Sequence, residues 1–299
     1  MVEHVETPSQ REKILAILER APDILTLPGI IQQILEVTSR KNSSASDLTA
    51  IIESDPALTS RVIAVANSPY YGFVKKITNV SHAIVVLGFR EIQNIALSMS
   101  VLKMFDPKGS EFVDQLWKHS FCVGVASRMI AEHLRLKVEG KYFVGGLLHD
   151  VGKIFFSQYV FTSFDRLLSV LWEEDTMESY HALEERMLGI THQEVARILL
   201  GEWMFPAEIV DAVACHHDPA SSEVDRLFAC CIHLADVICT AKGITPLKDR
   251  HFVLIDRGVL RFLEECGHTL TTSDVKSFMD RLDLEIERQS TYLSAFRNR

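Results

Sequence analysis

Four things are scarce in this 299-residue chain, and each scarcity excludes a class of protein. No apolar run approaches the roughly 20 residues needed to cross a bilayer, and the acidic N-terminus lacks the charged-then-apolar layout of a signal peptide. A cytoplasmic protein without membrane contact is expected. Basic clusters are also missing: 31 Lys and Arg stand against 40 Asp and Glu, a formal charge of −9, which argues against nucleic acid as a partner. The six cysteines (Cys122, Cys215, Cys230, Cys231, Cys239, Cys266) show no Cys-x-x-Cys spacing and sit in apolar helical stretches, so reduced core thiols are expected rather than disulfides. Finally, strict two-residue alternation is sustained nowhere, which leaves little room for strands. An all-α fold follows.

What is present is helical periodicity. With 47% hydrophobic residues the chain can bury a sizeable core, as one long domain or two helical lobes. Amphipathic helices are expected over 8–20 and, after Pro28, over 28–40; Lys41 to Ser46 is a polar connector whose serines and Asp47 can cap the next helix. Asp55-Pro56 starts another helix, Ser81 a further one, and Gly88 breaks the pattern before Ile92 resumes it. The Asn67 to Asn79 segment is a turn-rich loop carrying Tyr70, Tyr71 and Phe73; it suits either partner recognition or a buried turn, the latter favoured. Asp106 to Ser110 is the clearest linker. The resulting division is an N-terminal helix (1–20), an N-terminal lobe (21–106), a second lobe (107–242) and C-terminal helices (243–299). In the last part Val275, Phe278, Met279, Leu282 and Ile286 recur at helical spacing, for packing on the core or for a homodimer surface.

Polar residues of one chemical kind interrupt the apolar stripes of the second lobe. Gly145 to Lys153 is an apolar helical segment that offers His149 and Asp150, with Lys153 one turn beyond His149. His119 lies within the stripe Phe112, Leu116, Val123, Ala126, Ile130. Thr191 and Glu194 have capping-box spacing, which puts His192 in a first turn on the stripe of Val195 and Leu199. Pro206 suits the first turn of a helix leading to His216 and His217, and Asp236 aligns with Ala229, Ile232 and Cys239. Together these are seven candidate ligands on five helices. Buried carboxylates need compensating charge, and one or two divalent ions would supply it; nitrogen and oxygen donors favour iron or manganese, with zinc, nickel or magnesium as alternatives. Lys153 is either a point charge for a phosphoryl oxygen or a surface lysine near a helix end. His233, Asp211 and His82 fit ordinary core or surface roles better, and Cys215 beside His216 is a weak candidate for a soft ligand.

In this order, His119, His149-Asp150 and Asp236 resemble the four-ligand signature of the HD superfamily of metal-dependent phosphohydrolases, and His192, His216 and His217 match the extra histidines of its two-metal members. The N-terminal half resembles the HDOD (HD-related output domain) branch, through Leu27-Pro28, Ile52 to Leu58, Ala66 to Gly72 and Val80 to Gly88. The resemblance implies an HD-type helical bundle, a role in bacterial signalling through protein partners, and metal ligands that many HDOD members have lost. His216-His217 is followed by Asp218-Pro219 with no Gly-Tyr-Pro downstream, so cyclic-di-GMP hydrolysis is not implied. Gln115 offers no carboxylate for a third metal. The expected function is a signalling module with a divalent-metal site; the alternative is a phosphohydrolase of a nucleotide or other small phosphate ester. In that alternative Asp150 would bridge two metals that activate a water, with Lys153 on the phosphoryl oxygen.

Overall fold

The structure, a computed structural model, describes residues 8–20, 29–67, 71, 73, 75–104, 111–137, 140–173, 178–247 and 255–297, apart from 40–43. Leu27-Pro28, Lys41 to Ser43, Ser68 to Tyr70, Gly72 and the Asp106 to Ser110 linker lie outside the described residues. Among those described there are helices and one 3₁₀ turn but no strand.

Local chemistry explains where the helices begin. Ser44 and Asp47 form a reciprocal capping box on α3 (Ala45–Glu53), which follows α1 (Gln10–Arg20) and α2 (Gly29–Ser39). Asp55 caps α4 (Pro56–Ala66), with Pro56 in the first turn. Asn79 caps α5 (Val80–Leu87), and Gly88, at φ 95°, takes the turn into α6 (Phe89–Met104) that a side chain would strain. The loop between α4 and α5 is closed by Asn67, whose amide donates to the Ile77 carbonyl and accepts from its N–H at 2.6 and 2.7 Å. Tyr71 donates to Glu91 of α6 and lies under the Arg128 guanidinium, while Phe73 stacks on Tyr71 and is 43% exposed. The described part of the loop is therefore tied inward by Tyr71 and Asn67.

At the centre stands α7 (Glu111–His133), in which every residue from His119 to Ser127 is buried. A helix apolar on all sides must be covered on all sides. α8 (Lys141–Leu148), α14 (Arg226–Ala241) and α16 (Thr272–Arg297) do this, the last through Phe278 and Leu282. The C-terminal helix thus packs back on the core. Gly124 and Gly146 let α7 and α8 meet main chain to main chain: a Cβ on Gly146 would collide with the Gly124 backbone. Beyond α8 the chain continues as α9 (Val151–Tyr159), α10 (Phe161–Glu173), α11 (Tyr180–Leu188), α12 (His192–Glu202) and α13 (Ala207–Ala214). α15 (Arg257–Glu265) follows α14. One contiguous apolar core runs from Ile14 to Leu282, and α6 packs on α8 to join its two halves. Two details differ from the sequence expectation. Pro206 precedes α13 rather than entering its first turn, and Cys266 is exposed because it follows the last turn of α15, whereas the other five thiols are buried. Among the described residues no helix is long and apolar enough to cross a membrane.

Candidate metal centre

All seven candidate ligands converge between α7, α8, α9, α12, α13 and α14. His119 projects from the middle of α7, and His192 opens α12 behind the capping box of Thr191 and Glu194. His216 and His217 follow α13, and Asp236 comes from α14. His149 and Asp150 do not sit inside one helix as their apolar surroundings suggested. α8 ends at Leu148, Asp150 turns the chain at φ −102° and ψ 14°, and α9 starts at Val151. The turn has a consequence for Lys153. Its ammonium lies 2.8 Å from Asp150 Oδ2 and the residue is only 5% exposed, so it is a buried ion-pair partner and not a surface lysine.

Ring orientation is fixed from behind. The Nδ1 of His119 donates to the Ile244 carbonyl (2.6 Å), that of His149 to Gly146 (2.7 Å) and that of His216 to Val213 (2.6 Å). A carbonyl only accepts, so each Nδ1 carries the proton and each Nε2 is left to face the site. His192 Nδ1 lies 2.6 Å from Glu184 Oε2. The Nε2 atoms then crowd two carboxylates. His119 Nε2 is 3.1 Å from Asp236 Oδ1 and 3.7 Å from Asp150 Oδ2; His149 Nε2 is 3.3 Å from Asp150 Oδ2; His192 Nε2 is 3.4 Å from Asp150 Oδ1 and 3.3 Å from His216 Nε2. Metal bonds of about 2.0–2.2 Å place neighbouring donor atoms roughly 3.0–3.5 Å apart, so these spacings suit coordination. His217 completes the second group, its ring 4.1 Å from that of His216 and 5.1 Å from that of His192.

Two atoms test whether an ion fits. His149 Nε2 and Asp150 Oδ1 are fully buried yet lack hydrogen-bond partners, an expensive state for groups of this kind. Both point into the cluster. The donor set therefore suits one or two divalent ions: His119, His149 and Asp150 converge at one position and His192, His216 and His217 at another, with Asp236 Oδ1 beside His119 and Asp150 Oδ1 beside His192.

Charge is finely balanced in the metal-free chain. Burial opposes ionisation of Asp150, but His149 and Lys153 outweigh it and hold the carboxyl well below its usual range. Asp236 is likewise pushed up by burial and held well below by His119 and His149. Burial also lowers His149, yet Asp150 more than reverses this and raises it. For His192 and His216 burial wins, and both fall well below the usual imidazole value; His217 is lowered by burial to about 3. Glu184 moves the other way, raised by burial to about 8. Between about pH 6.5 and 4.5 the unfolded chain therefore takes up three protons at His192, His216 and His217 that the folded chain refuses, while folded Glu184 keeps one that the unfolded chain has released. Folded Glu91, also raised by burial, offsets part of the remainder. The metal-free protein is expected to lose about 1–3 kcal/mol per pH unit as pH falls through this window. Urea denaturation of chelator-treated protein at pH 6.5 and 5.5 checks this, and a flat profile would contradict it.

The minor candidates hold structural positions. Asp211 accepts from Ser222 Oγ and from the N–H groups of Glu223 and Val224, tying the loop after α13. His233 donates to the His216 carbonyl, behind the cluster. Cys215 contacts Arg197 and Asp211, and Gln115 bonds Glu111 on an exposed face. Sequence reasoning missed Glu184 and Tyr180, which α11 brings against His192. Their signal was faint. Tyr180, Leu183 and Leu188 form an apolar stripe that passes through Glu184, but the Glu184-Glu185-Arg186 run hides it.

The chain is similar in fold to an HDOD domain protein with unknown function from Geobacter sulfurreducens, at TM-score 0.70 and 22% identity, over 91% of this chain and 92% of that one. It is also similar to a protein from Shewanella amazonensis SB2B provisionally named a metal-dependent phosphohydrolase, at TM-score 0.63 and 20% identity, over 96% and 99% of the two chains. An uncharacterized protein of Treponema pallidum is 25% identical over 220 residues, 72% of this chain; the chain spans only 42% of that relative's length. The HDOD domain family matches residues 24–219, a stretch that holds six of the seven candidate ligands and leaves Asp236 beyond it. With two thirds of its length inside that match and an all-helical bundle of the same fold, the chain belongs to the HDOD domain family.

Proposed function

We propose that this HDOD protein is a metal-dependent phosphohydrolase acting on a nucleotide or another small phosphate ester. One observation carries the reading: two imidazoles, His119 and His149, whose Nδ1 protons are committed to main-chain carbonyls, turn their Nε2 atoms onto the carboxylates of Asp150 and Asp236. Such an arrangement needs a cation, and the similarity to the Shewanella amazonensis protein is consistent with that chemistry. Divalent ions held by these residues would lower the pKa of a water towards neutrality and offset charge on the phosphoryl oxygens. The chain's own contribution is placement. The two oxygens of Asp150 face the two halves of the cluster, and Lys153 has two N–H donors beyond the one it gives Asp150, available to a nonbridging oxygen. Asp236 and His217 are the least buried ligands, which puts the approach for a substrate on their side.

A second reading is a signalling module in which the metal holds the helices together and protein partners sense the folded state. The depth of the centre favours it, since His149, His192 and His216 are fully buried. One experiment separates the two. Freshly purified protein should contain at least one equivalent of transition metal, and Mn²⁺- or Fe²⁺-loaded protein should hydrolyse a member of a panel of nucleotides, cyclic dinucleotides and phenyl phosphate esters in a chelator-sensitive way. Metal-loaded protein that turns over none of them selects the signalling reading. Protein that neither contains nor takes up metal removes the centre altogether.

A further inference from the structure

Glu184 stands behind His192 in a way no other carboxylate of the cluster does. It is fully buried, and no candidate ligand group includes it. Oε2 accepts from the His192 backbone N–H at 3.0 Å and lies 2.6 Å from its Nδ1, and the Tyr180 hydroxyl is turned to the same carboxyl. His192 is the first residue of α12, so its N–H is one of the unpaired donors of a helix start and the carboxylate satisfies it. Main chain and ring are thereby held by one oxygen. The opposite ring atom, Nε2, points at Asp150 Oδ1 and His216 Nε2. Of the four ligand histidines with a recorded Nδ1 contact, His192 alone is backed by a side chain instead of a carbonyl. Tyr180, one turn earlier on α11, flanks the same ring and lies under the Lys153 ammonium.

From this geometry we infer that Glu184 is a positioning residue for the half of the centre built from His192, His216 and His217, and that without it the second ion is lost while the first stays. The inference rests on the metal-dependent reading above. A carboxyl oxygen accepting from Nδ1 keeps the ring proton on that side and leaves Nε2 free to face the ion, a pairing whose loss typically weakens metal binding about 10–100-fold. The half formed by His119, His149 and Asp236 has its own carbonyl supports and does not touch Glu184.

The test is Mn²⁺ titration by calorimetry together with electron paramagnetic resonance, on wild type, Glu184→Gln and Glu184→Leu. Wild type should take up two equivalents and give the signal of a coupled pair. Glu184→Leu should take up one equivalent and give the signal of isolated Mn²⁺. Glu184→Gln, whose amide oxygen still accepts a hydrogen bond, should keep both equivalents with the second weakened about 10–100-fold. If Glu184→Leu does not fold, Glu184→Gln decides alone. Second-ion affinity within about threefold of wild type in the folded variants overturns the inference and leaves the metal centre intact; equal weakening of both ions also overturns it. Wild type that binds fewer than two ions overturns the metal-pair reading itself and this inference with it.

Discussion

Asp150→Asn should empty the metal centre and weaken the metal-free fold by about 3–5 kcal/mol, because one side chain serves both. Asp150 is 1% exposed; Oδ2 accepts from Lys153 and faces His119 and His149, and Oδ1 faces His192. A carboxamide keeps the shape and removes the charge. In the metal-free chain this strands the Lys153 ammonium, 5% exposed, without its neutralising partner, the situation in which a broken buried pair costs most. In the loaded protein it would remove the carboxylate proposed to serve both halves, so bound metal should fall below about a tenth of an equivalent and any phosphohydrolase turnover by at least about a thousandfold. The double variant Asp150→Asn with Lys153→Met separates these effects. Removing both charges should recover most of the lost stability without recovering metal, a coupling that urea denaturation in chelator and metal analysis would read independently. Full metal content in Asp150→Asn would refute the shared-ligand arrangement.

The second large effect is expected from Gly152→Ala. A Cβ at this position would fall on the carbonyl group of His192, main chain against side chain, where no rotamer change gives relief. α9 and α12 must then separate. The gain in helix propensity, about 1 kcal/mol, offsets only part of an overpacking cost of about 3 kcal/mol, so a net loss of about 2 kcal/mol and a Tm lower by roughly 4–8 °C is expected. The displacement should also pull His192 away from Asp150 and lower the affinity of the second ion. Gly201→Ala is the control: nothing lies within 4 Å of its Cβ position and the residue is exposed within α12, so it should raise stability by about 0.5–1 kcal/mol. Equal Tm values for the two variants, measured by calorimetry, would show that the close approach at Gly152 is not tight.

The convergence of the seven candidate residues was legible because they break an apolar rhythm. His119 and Asp236 fall on stripes that are otherwise apolar, and a stripe residue is oriented inward whatever its chemistry. Capping chemistry is local, which is why Asp55, Thr191 and Gly88 mark the chain turns in both sequence and structure. The break at His149-Asp150 was hidden because Phe143 to Phe156 is almost wholly apolar on both sides of it. At the break a local ion pair of Lys153 with Asp150, three residues apart, is joined by one tertiary contact, that of Gly152 with His192. Lys153 was ambiguous for the same reason, since its burial depends on α11, distant in sequence. Glu184 was illegible because a glutamate flanked by charge has the pattern of a solvated face.

The contact between Gly124 and Gly146 carries one further consequence. His149 is bonded to the Gly146 carbonyl, Gly146 rests on the Gly124 backbone, and His119 lies on the same helix as Gly124. The 5.2 Å between the two imidazole rings is thus gauged by a pair of touching main chains. Side-chain volume elsewhere in the core can drift and be absorbed by rotamers, but the backbones that carry these two rings already touch and cannot come closer. Any cation seated there meets a calliper of fixed opening, and ions of different radius will be sorted by the backbone before ligand chemistry distinguishes them.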